Sequence, residues 1–275
     1  MTLSIALATY AGDSLDNILA CLASVYSWSD EIIIIYGSPE DDKTKAIHNM
    51  DADKKVKITY TDNPVMFHIN KQKALEKCTK DWILQLDSDE VVSPELRKEI
   101  ISIISNQTEE KDISNFKFQI SNSDIVAYSI PRLNFFLGSP LTKGGQYPDY
   151  TIRLYKNGVA RFPCKSLHEQ VDIKGNVGTV KNNLLHYPYI DFAQYLRKWI
   201  VYGKEEAERD YASGIRPGIV NFILYFKIKP IFWFLKTYLR HRGYVDGFAG
   251  FVFALFSAMR YWPIYIFLKE KRETR

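Results

Sequence analysis

The sequence predicts an α/β protein, a doubly wound and mainly parallel sheet followed by a C-terminal helical appendage. Three observations carry this expectation. Over the first ninety residues, apolar runs suited to buried strands (3–8, 31–36, 56–60 and 82–86) alternate with helical patterns (14–28, 40–50 and 69–80). Strands separated by helices imply right-handed crossovers and parallel pairing. The fourth run, Trp82-Ile83-Leu84-Gln85-Leu86-Asp87-Ser88-Asp89-Glu90, ends a buried-strand pattern abruptly in carboxylates. From residue 191 onward the chain turns basic, aromatic and helical in pattern.

At 275 residues the length suits one large domain, or one domain with an appendage; the expected division is 1–190 and 191–275. A composition of 46% hydrophobic and 25% charged residues is globular and excludes a disordered or fibrous chain. Residues 191–275 hold 15 Lys/Arg against 8 Asp/Glu, a balance of +7, which leaves 21 against 24, or −3, for residues 1–190. Basic and aromatic residues crowded together point to an anionic membrane surface and away from nucleic acid.

Taken in order, the first strand begins at once, Leu3-Ser4-Ile5-Ala6-Leu7-Ala8, with no signal peptide before it. Cys21, Cys78 and Cys164 are an odd count without a C-x-x-C pair, so a reducing compartment is expected, with Cys21 and Cys78 as buried apolar residues. Ser93 and Pro94 supply an N-cap and a first turn for another helix. A polar stretch (106–124) precedes shorter β-type segments near 125–132, 150–155 and 177–186, and an amphipathic helix fills 191–213. Gly214-Ile215-Arg216-Pro217-Gly218 breaks it.

Two hydrophobic stretches follow, 219–239 and 244–268. Lys227, Lys229, Pro230 and Lys236 interrupt the first, and Asp246, Arg260 and Pro263 the second. A central charge costs about 2.5–3.5 kcal/mol on insertion. The pattern therefore favours an interfacial hairpin with snorkelling Lys and Arg over ordinary spanning helices, the alternative being a helical subdomain packed on the core.

Asp87 and Asp89 are two apart, a spacing that puts strand side chains on one side. They stand where ligands collect beyond the carboxyl ends of open α/β sheets. Paired carboxylates suit a hard divalent cation, and that cation suits a diphosphate. Other segments carry chemistry too. They are Asn70-Lys71-Gln72-Lys73, Lys143-Gly144-Gly145-Gln146-Tyr147-Pro148-Asp149 through Arg153, and Ser166-Leu167-His168-Glu169. Lys71 in a first helical turn suits an anion, with a solvated lysine as the alternative. Gly144 and Gly145 permit close backbone approach to a ligand.

With these motifs, residues 3 to about 210 resemble the family 2 glycosyltransferases, inverting enzymes of the GT-A fold, and most of all the lipopolysaccharide core β-1,4-glucosyltransferase group. The resemblance implies a GT-A, Rossmann-like sheet and a nucleotide-sugar donor, with a UDP-sugar favoured. It also implies Mn²⁺ or Mg²⁺ and a glycan or lipid-linked acceptor. By the same resemblance Asp89 is the main metal ligand, Asp87 contacts the ribose or the metal's water shell, and His168 is a further metal or diphosphate ligand. Thr9, Tyr36, Lys71, Gly144, Gly145 and Arg153 join Asp87 in the donor site. Asp149 is the general base, with Glu169 in reserve, because inverting transfer needs a base on the attacking hydroxyl. Arg153 orients Asp149, binds phosphate or makes a structural ion pair. His186-Tyr187 matches the family pattern and is read as architectural.

One departure stands out. The family's second strand ends in an acid that recognises the nucleotide, whereas here it reads Ile32-Ile33-Ile34-Ile35-Tyr36-Gly37-Ser38. Tyr36 would then stack on the base, or Asp41, Asp42 or Asp62 would supply the carboxylate. The departure also motivates an alternative, a non-catalytic glycan-binding or scaffold protein that keeps the fold. A nucleotidyltransferase is disfavoured, since Thr9-Tyr10-Ala11-Gly12-Asp13 is no glycine-rich, basic loop. The expected location is the cytoplasmic face of the cell membrane, with peripheral contact through 215–275.

Overall fold

A computed structural model describes residues 1–106, 125–165 and 170–273. The chain forms two compact units, Met1–Arg132 with Asp149–His186, and Leu133–Pro148 with Tyr187–Arg275. The segment Leu133–Pro148 thus groups with the C-terminal helices, although the 1–190 boundary put it with the N-terminal domain. The reason is local bonding. Thr142 N and Oγ1 and Lys143 N donate to Asp246, and Gly144 N donates to His241 O at 2.9 Å.

In the first unit the elements run β1 (Leu3–Thr9), α1 (Leu15–Tyr26), β2 (Glu31–Tyr36), α2 (Asp42–Met50), β3 (Val56–Tyr60), α3 (His68–Lys77) and β4 (Trp82–Asp87). There follow β5 (Glu90–Val92), α4 (Pro94–Asn106), β6 (Ile125–Phe136) and, in the other unit, β7 (Ser139–Pro140). The first unit then resumes with β8 (Asp149–Lys156), β9 (Ala160–Arg161), β10 (Asp172–Ile173), β11 (Asn176–Thr179) and β12 (Leu184–His186). The main sheet has the order β3-β2-β1-β4-β8-β6-β12-β5. Its first four strands are parallel, and β8 joins β4 and β6 antiparallel. The architecture is α/β with a mixed sheet.

Period-two alternation explains why β1, β2 and β4 read as unbroken apolar runs. Ile5, Leu7, Ile32, Ile34, Leu84 and Leu86 pack with Ile18, Cys21, Leu22 and Val25 of α1. Ala6, Ile33, Ile35 and Ile83 pack with Ala74, Leu75 and Cys78 of α3. Both faces of the sheet are covered, and polar residues within these strands, such as Ser4 and Gln85, are held by hydrogen bonds to Glu31 and Arg153. Each fully buried Leu or Ile contributes roughly 1.5–3 kcal/mol. Burial also pushes the Cys78 thiol up to about 12. Ser93 caps its helix as the sequence suggests, its Oγ accepting from Leu96 N at 3.2 Å, and Ser14 Oγ likewise accepts from Asn17 N at the start of α1.

At the amino end of the sheet, Glu31 is closed in. Its carboxylate accepts from Ser4 Oγ (2.8 Å), Thr79 N (2.9 Å) and Lys57 Nζ (2.6 Å). Burial opposes its ionisation, but these partners outweigh burial and hold the carboxyl down at about 2.

The second unit is helical after β7. It contains α5 (Phe192–Ala212), α6 (Ile219–Ile223), α7 (Lys229–Phe234), α8 (Gly247–Met259) and α9 (Tyr261–Glu273). Two π-helical turns, Leu224–Ile228 and Leu235–Arg240, join and extend α6 and α7 into one helical run. Phe136, Leu141, Tyr195 and Ala249 form one core cluster, and Ala207, Tyr225, Ile264, Tyr265 and Leu268 another. Gly243–Lys271 is long and apolar enough to cross a membrane by length and composition.

Candidate active site

The parallel register Ala8↔Asp87 and Thr9↔Tyr36 brings the ends of β1, β2 and β4 to one edge. There the Asp-x-Asp segment meets the loop after β1. Asp87 is the one of the two carboxylates that is held between two cations. Its Oδ1 pairs with Lys71 Nζ, and its Oδ2 accepts from Arg153 Nη2 at 2.5 Å. Burial would favour the neutral acid, but Arg153 and Lys71 hold this carboxyl well below the usual range.

Arg153 reaches Asp87 because β8 lies antiparallel to β4, with Leu84 opposite Leu154. Its guanidinium, 7% exposed, also donates to Gln85 Oε1 and to Glu90 Oε1 at 2.7 Å. Burial works against its charge, yet Asp87 and Glu90 keep it protonated above its ordinary range. Glu90 is fully buried, and its Oε2 accepts from Asp87 N at 2.9 Å. On its far side Arg132 Nη1 lies 3.4 Å from Glu90 Oε1.

Arg132 in turn donates from Nε (2.9 Å) and Nη2 (2.7 Å) to Asp149 Oδ2. The β6–β8 register sets these two residues opposite one another. Asp149 is the open end of this row, its side chain 38% exposed. Lys71, Asp87, Arg153, Glu90, Arg132 and Asp149 therefore form one alternating chain of charges, from the Asp-x-Asp motif to the candidate base.

Asp89 lies apart from that chain, with His186 Nε2 3.5 Å from its Oδ2 and both side chains partly exposed. The β12–β5 pairing, His186 opposite Glu90, delivers the histidine. A carboxylate and an imidazole side by side fit Mn²⁺ or Mg²⁺ when diphosphate oxygens and water complete the shell. Asp87 fits less well, because both its oxygens already face cations. Among the described residues, no three His, Cys, Asp or Glu side chains are grouped to hold a metal by themselves.

Other expected residues are dispersed or used differently. Thr9 Oγ1 donates to Asp13 Oδ2 at 2.7 Å, and Ser88 Oγ donates to the same oxygen at 3.0 Å. Lys71 is buried and paired, so the solvated alternative does not apply. For Arg153 the ion-pair alternative is the geometry found. Tyr36 requires a correction. Its ring is fully buried and its hydroxyl donates to Asp41 Oδ2 at 2.5 Å, so no face is open to a nucleobase. Asp41 itself caps α2 through Lys43 N and Thr44 N. Gly144 and Gly145 lie in the helical unit at positive φ, where a Cβ would meet Thr237, His241 and Gly243. The close approach they permit is toward their own chain. His168 and Glu169 lie outside the described residues.

Sequence reasoning gave no role to Asp13, Glu90 or Arg132, and treated His186 as architecture. Asp13 carries a raised carboxyl pKa, from burial first and also from the charge of Asp89, against hydrogen bonds from Thr9, Ser88 and Tyr10 N. A signal for it existed, since a loop leaving β1 beside β4 must pass the Asp-x-Asp edge.

Comparison with known proteins follows this geometry. The family model described as Glycosyl transferase family 2 matches residues 4–165. The chain is 24% identical over 242 residues to the lipopolysaccharide core biosynthesis glycosyltransferase LpsC of Rhizobium meliloti (strain 1021), covering 87% of this chain and 82% of that protein. It is 26% identical over 252 residues to an uncharacterised glycosyltransferase of Rickettsia typhi, covering 88% and 78%. Among solved structures, S. aureus TarS in complex with UDP-GlcNAc aligns over 100% of this chain and 93% of that one, with 13% identity and a TM-score of 0.41.

Proposed function

Since the chain belongs to glycosyl transferase family 2, we propose that it moves one sugar from a nucleotide-sugar donor, a UDP-sugar in the first instance, to a hydroxyl of a cell-surface glycan or lipid-linked acceptor, with inversion. The observation that carries this reading is the charge chain running from Asp87 at the end of β4 to the half-open Asp149.

The acceptor oxygen attacks C1 of the sugar from the face opposite the diphosphate. The new C1–O bond forms as the C1–phosphate oxygen bond breaks, and the hydroxyl proton passes to Asp149. Arg132 holds that carboxylate through two hydrogen bonds to one oxygen, Oδ2. Arg153 and Lys71 hold the Asp-x-Asp turn by its first carboxylate, leaving Asp89 at the donor edge. Asp89, with His186 beside it, would hold a Mn²⁺ or Mg²⁺ ion, which would supply charge to offset the departing diphosphate. The basic, aromatic region 215–275 makes peripheral contact with the cytoplasmic face of the membrane, where a lipid-linked acceptor is presented.

The test is donor turnover without acceptor, screening UDP-, GDP- and dTDP-sugars with Mn²⁺ for released nucleoside diphosphate. Turnover of one donor, lost on chelation and lowered at least about a hundredfold by Asp89→Ala, is the expected result. Near-normal turnover in that variant overturns the metal assignment. Absence of donor binding by calorimetry replaces the enzyme with a non-catalytic glycan-binding protein of the same fold.

A further inference from the structure

The helical run 219–240 has two faces of opposite character, each repeating every four residues. On the inner row Tyr225 and Thr237 are 1% and 4% exposed. Between them, Lys229 Nζ sits 3.5 Å from the Tyr225 ring centroid and Trp233 Nε1 donates to Ser257 Oγ at 3.0 Å. Half a turn away stand Ile219, Ile223, Lys227, Ile231, Leu235 and Leu239. Their apolar members are all exposed, Ile219 at 73% and Ile231 at 60%. Val220, Ile228 and Phe232 widen this outer row.

A four-residue repeat drifts about 40° per step around an α-helix, which over this length would carry the row into the core. The π-helical turns 224–228 and 235–240 wind more slowly and take the drift back. They keep one straight apolar stripe outside and one packed row inside. The stripe runs on into the following turn, where Tyr244, Val245 and Phe248 are exposed and where Tyr238 meets Tyr244 and Phe234 meets Phe251.

Charge selects the occupant. Residues 211–248 include Arg216, Lys227, Lys229, Lys236, Arg240 and Arg242 against one acid, Asp246, whose carboxylate accepts from Thr142 N and Oγ1 and from Lys143 N. Lys227, Arg240 and Arg242 are exposed beside the stripe. Apolar side chains rimmed by cations match the acyl boundary and anionic headgroups of a bilayer. A second copy would set the same cations against each other.

Of the stretch that length and composition mark as a span, Gly243–Lys271, the part beyond the 244–248 turn is the packed partner. Ala254, Ala258, Ile264 and Leu268 are buried, and Arg260 at its middle stacks on Trp233 at 4.3 Å. Resting on the membrane contact proposed above and sharpening it, we propose that the 219–240 stripe with the 244–248 turn lies in the plane of an anionic bilayer, while 249–271 stays folded behind it and does not cross.

The experiment uses the full chain with phosphatidylglycerol-containing and pure phosphatidylcholine vesicles. The parent should bind the anionic vesicles only. The triple variant Ile223→Glu/Ile231→Glu/Leu235→Glu should bind them at least tenfold more weakly, with unchanged donor turnover and helix content. Tryptophan placed as Ile231→Trp should be quenched by brominated lipid beyond the parent's own signal, and as Ile266→Trp it should not. Quenching at 266 and not at 231 would mean that the span inserts, overturning this proposal but keeping the membrane contact. Undiminished binding by the triple variant would also overturn it. So would a parent dimer that the same substitutions dissociate without lipid. Failure of the parent to bind any vesicle would remove the membrane contact itself.

Discussion

Glu31 and Glu90 are two glutamates buried in one sheet, each 2% exposed or less, and they serve opposite ends of it. Glu31 stands at the start of β2, where Ser4, Lys57 and Thr79 occupy its oxygens and nothing leads onward. Glu90 stands beyond the end of β4, beside two arginines that also reach Asp87 and Asp149. Burial and ion pairing are common to both. What separates a structural carboxylate from one built into a candidate site is whether its partners pass the charge on to a group that solvent reaches.

The largest effect expected from this contrast is on chemistry at the open end. Asp149→Asn should lower turnover about 10²–10⁴-fold, with donor affinity near that of the parent by calorimetry. Equal losses in turnover and donor affinity would make Asp149 a donor-site residue. Next, Glu90→Gln leaves the buried Arg153 and the half-buried Arg132 short of an anion. Breaking a buried pair costs about 3–5 kcal/mol, so thermal and denaturant unfolding should both shift strongly. A stability within about 1 kcal/mol of the parent would show that the chain does not depend on its middle member.

Glu31→Gln should cost less, roughly 2 kcal/mol at neutral pH, and leave donor turnover intact. The pH profile identifies it. The folded carboxyl sits at about 2 against an ordinary 4.5, so its contribution is complete above about 4.5 and fades as pH falls toward 2. The difference in unfolding free energy between parent and variant should shrink over that window. The smallest effect belongs to Tyr36→Phe, which removes one hydrogen bond to Asp41, worth about 1 kcal/mol. Donor affinity should not change, since the ring is enclosed. A drop of tenfold or more would restore Tyr36 to the donor site.

The parts visible in the sequence were those written locally. Trp82–Asp87 reads as a strand because both its faces are covered, and the carboxylates show themselves by ending it. Ser93 announces a helix start through capping chemistry, whereas Asp41, read as a carboxylate for the nucleotide, caps α2. The partners of those carboxylates are another matter. Arg153 meets Asp87 across 66 residues through an antiparallel register, and Arg132 meets Asp149 through another; no local pattern encodes either. Tyr36 was misjudged because strand ends usually open to solvent, whereas Asp41 folds back over this one. The glycine pair 144–145 was read as room for a ligand, but what calls for glycine there is positive φ, and the neighbours a Cβ would meet are Thr237, His241 and Gly243 of the same unit.

The row from Lys71 to Asp149 holds three cations and three anions in strict alternation. Such a row has its own rule of inheritance. A lineage that exchanges Arg132 for a neutral residue strands Glu90 between one partner and none, and selection then favours a second exchange next to the first. Substitutions along it should accumulate in neighbouring pairs of opposite sign, leaving a record of coupled change between strands that lie far apart in the chain.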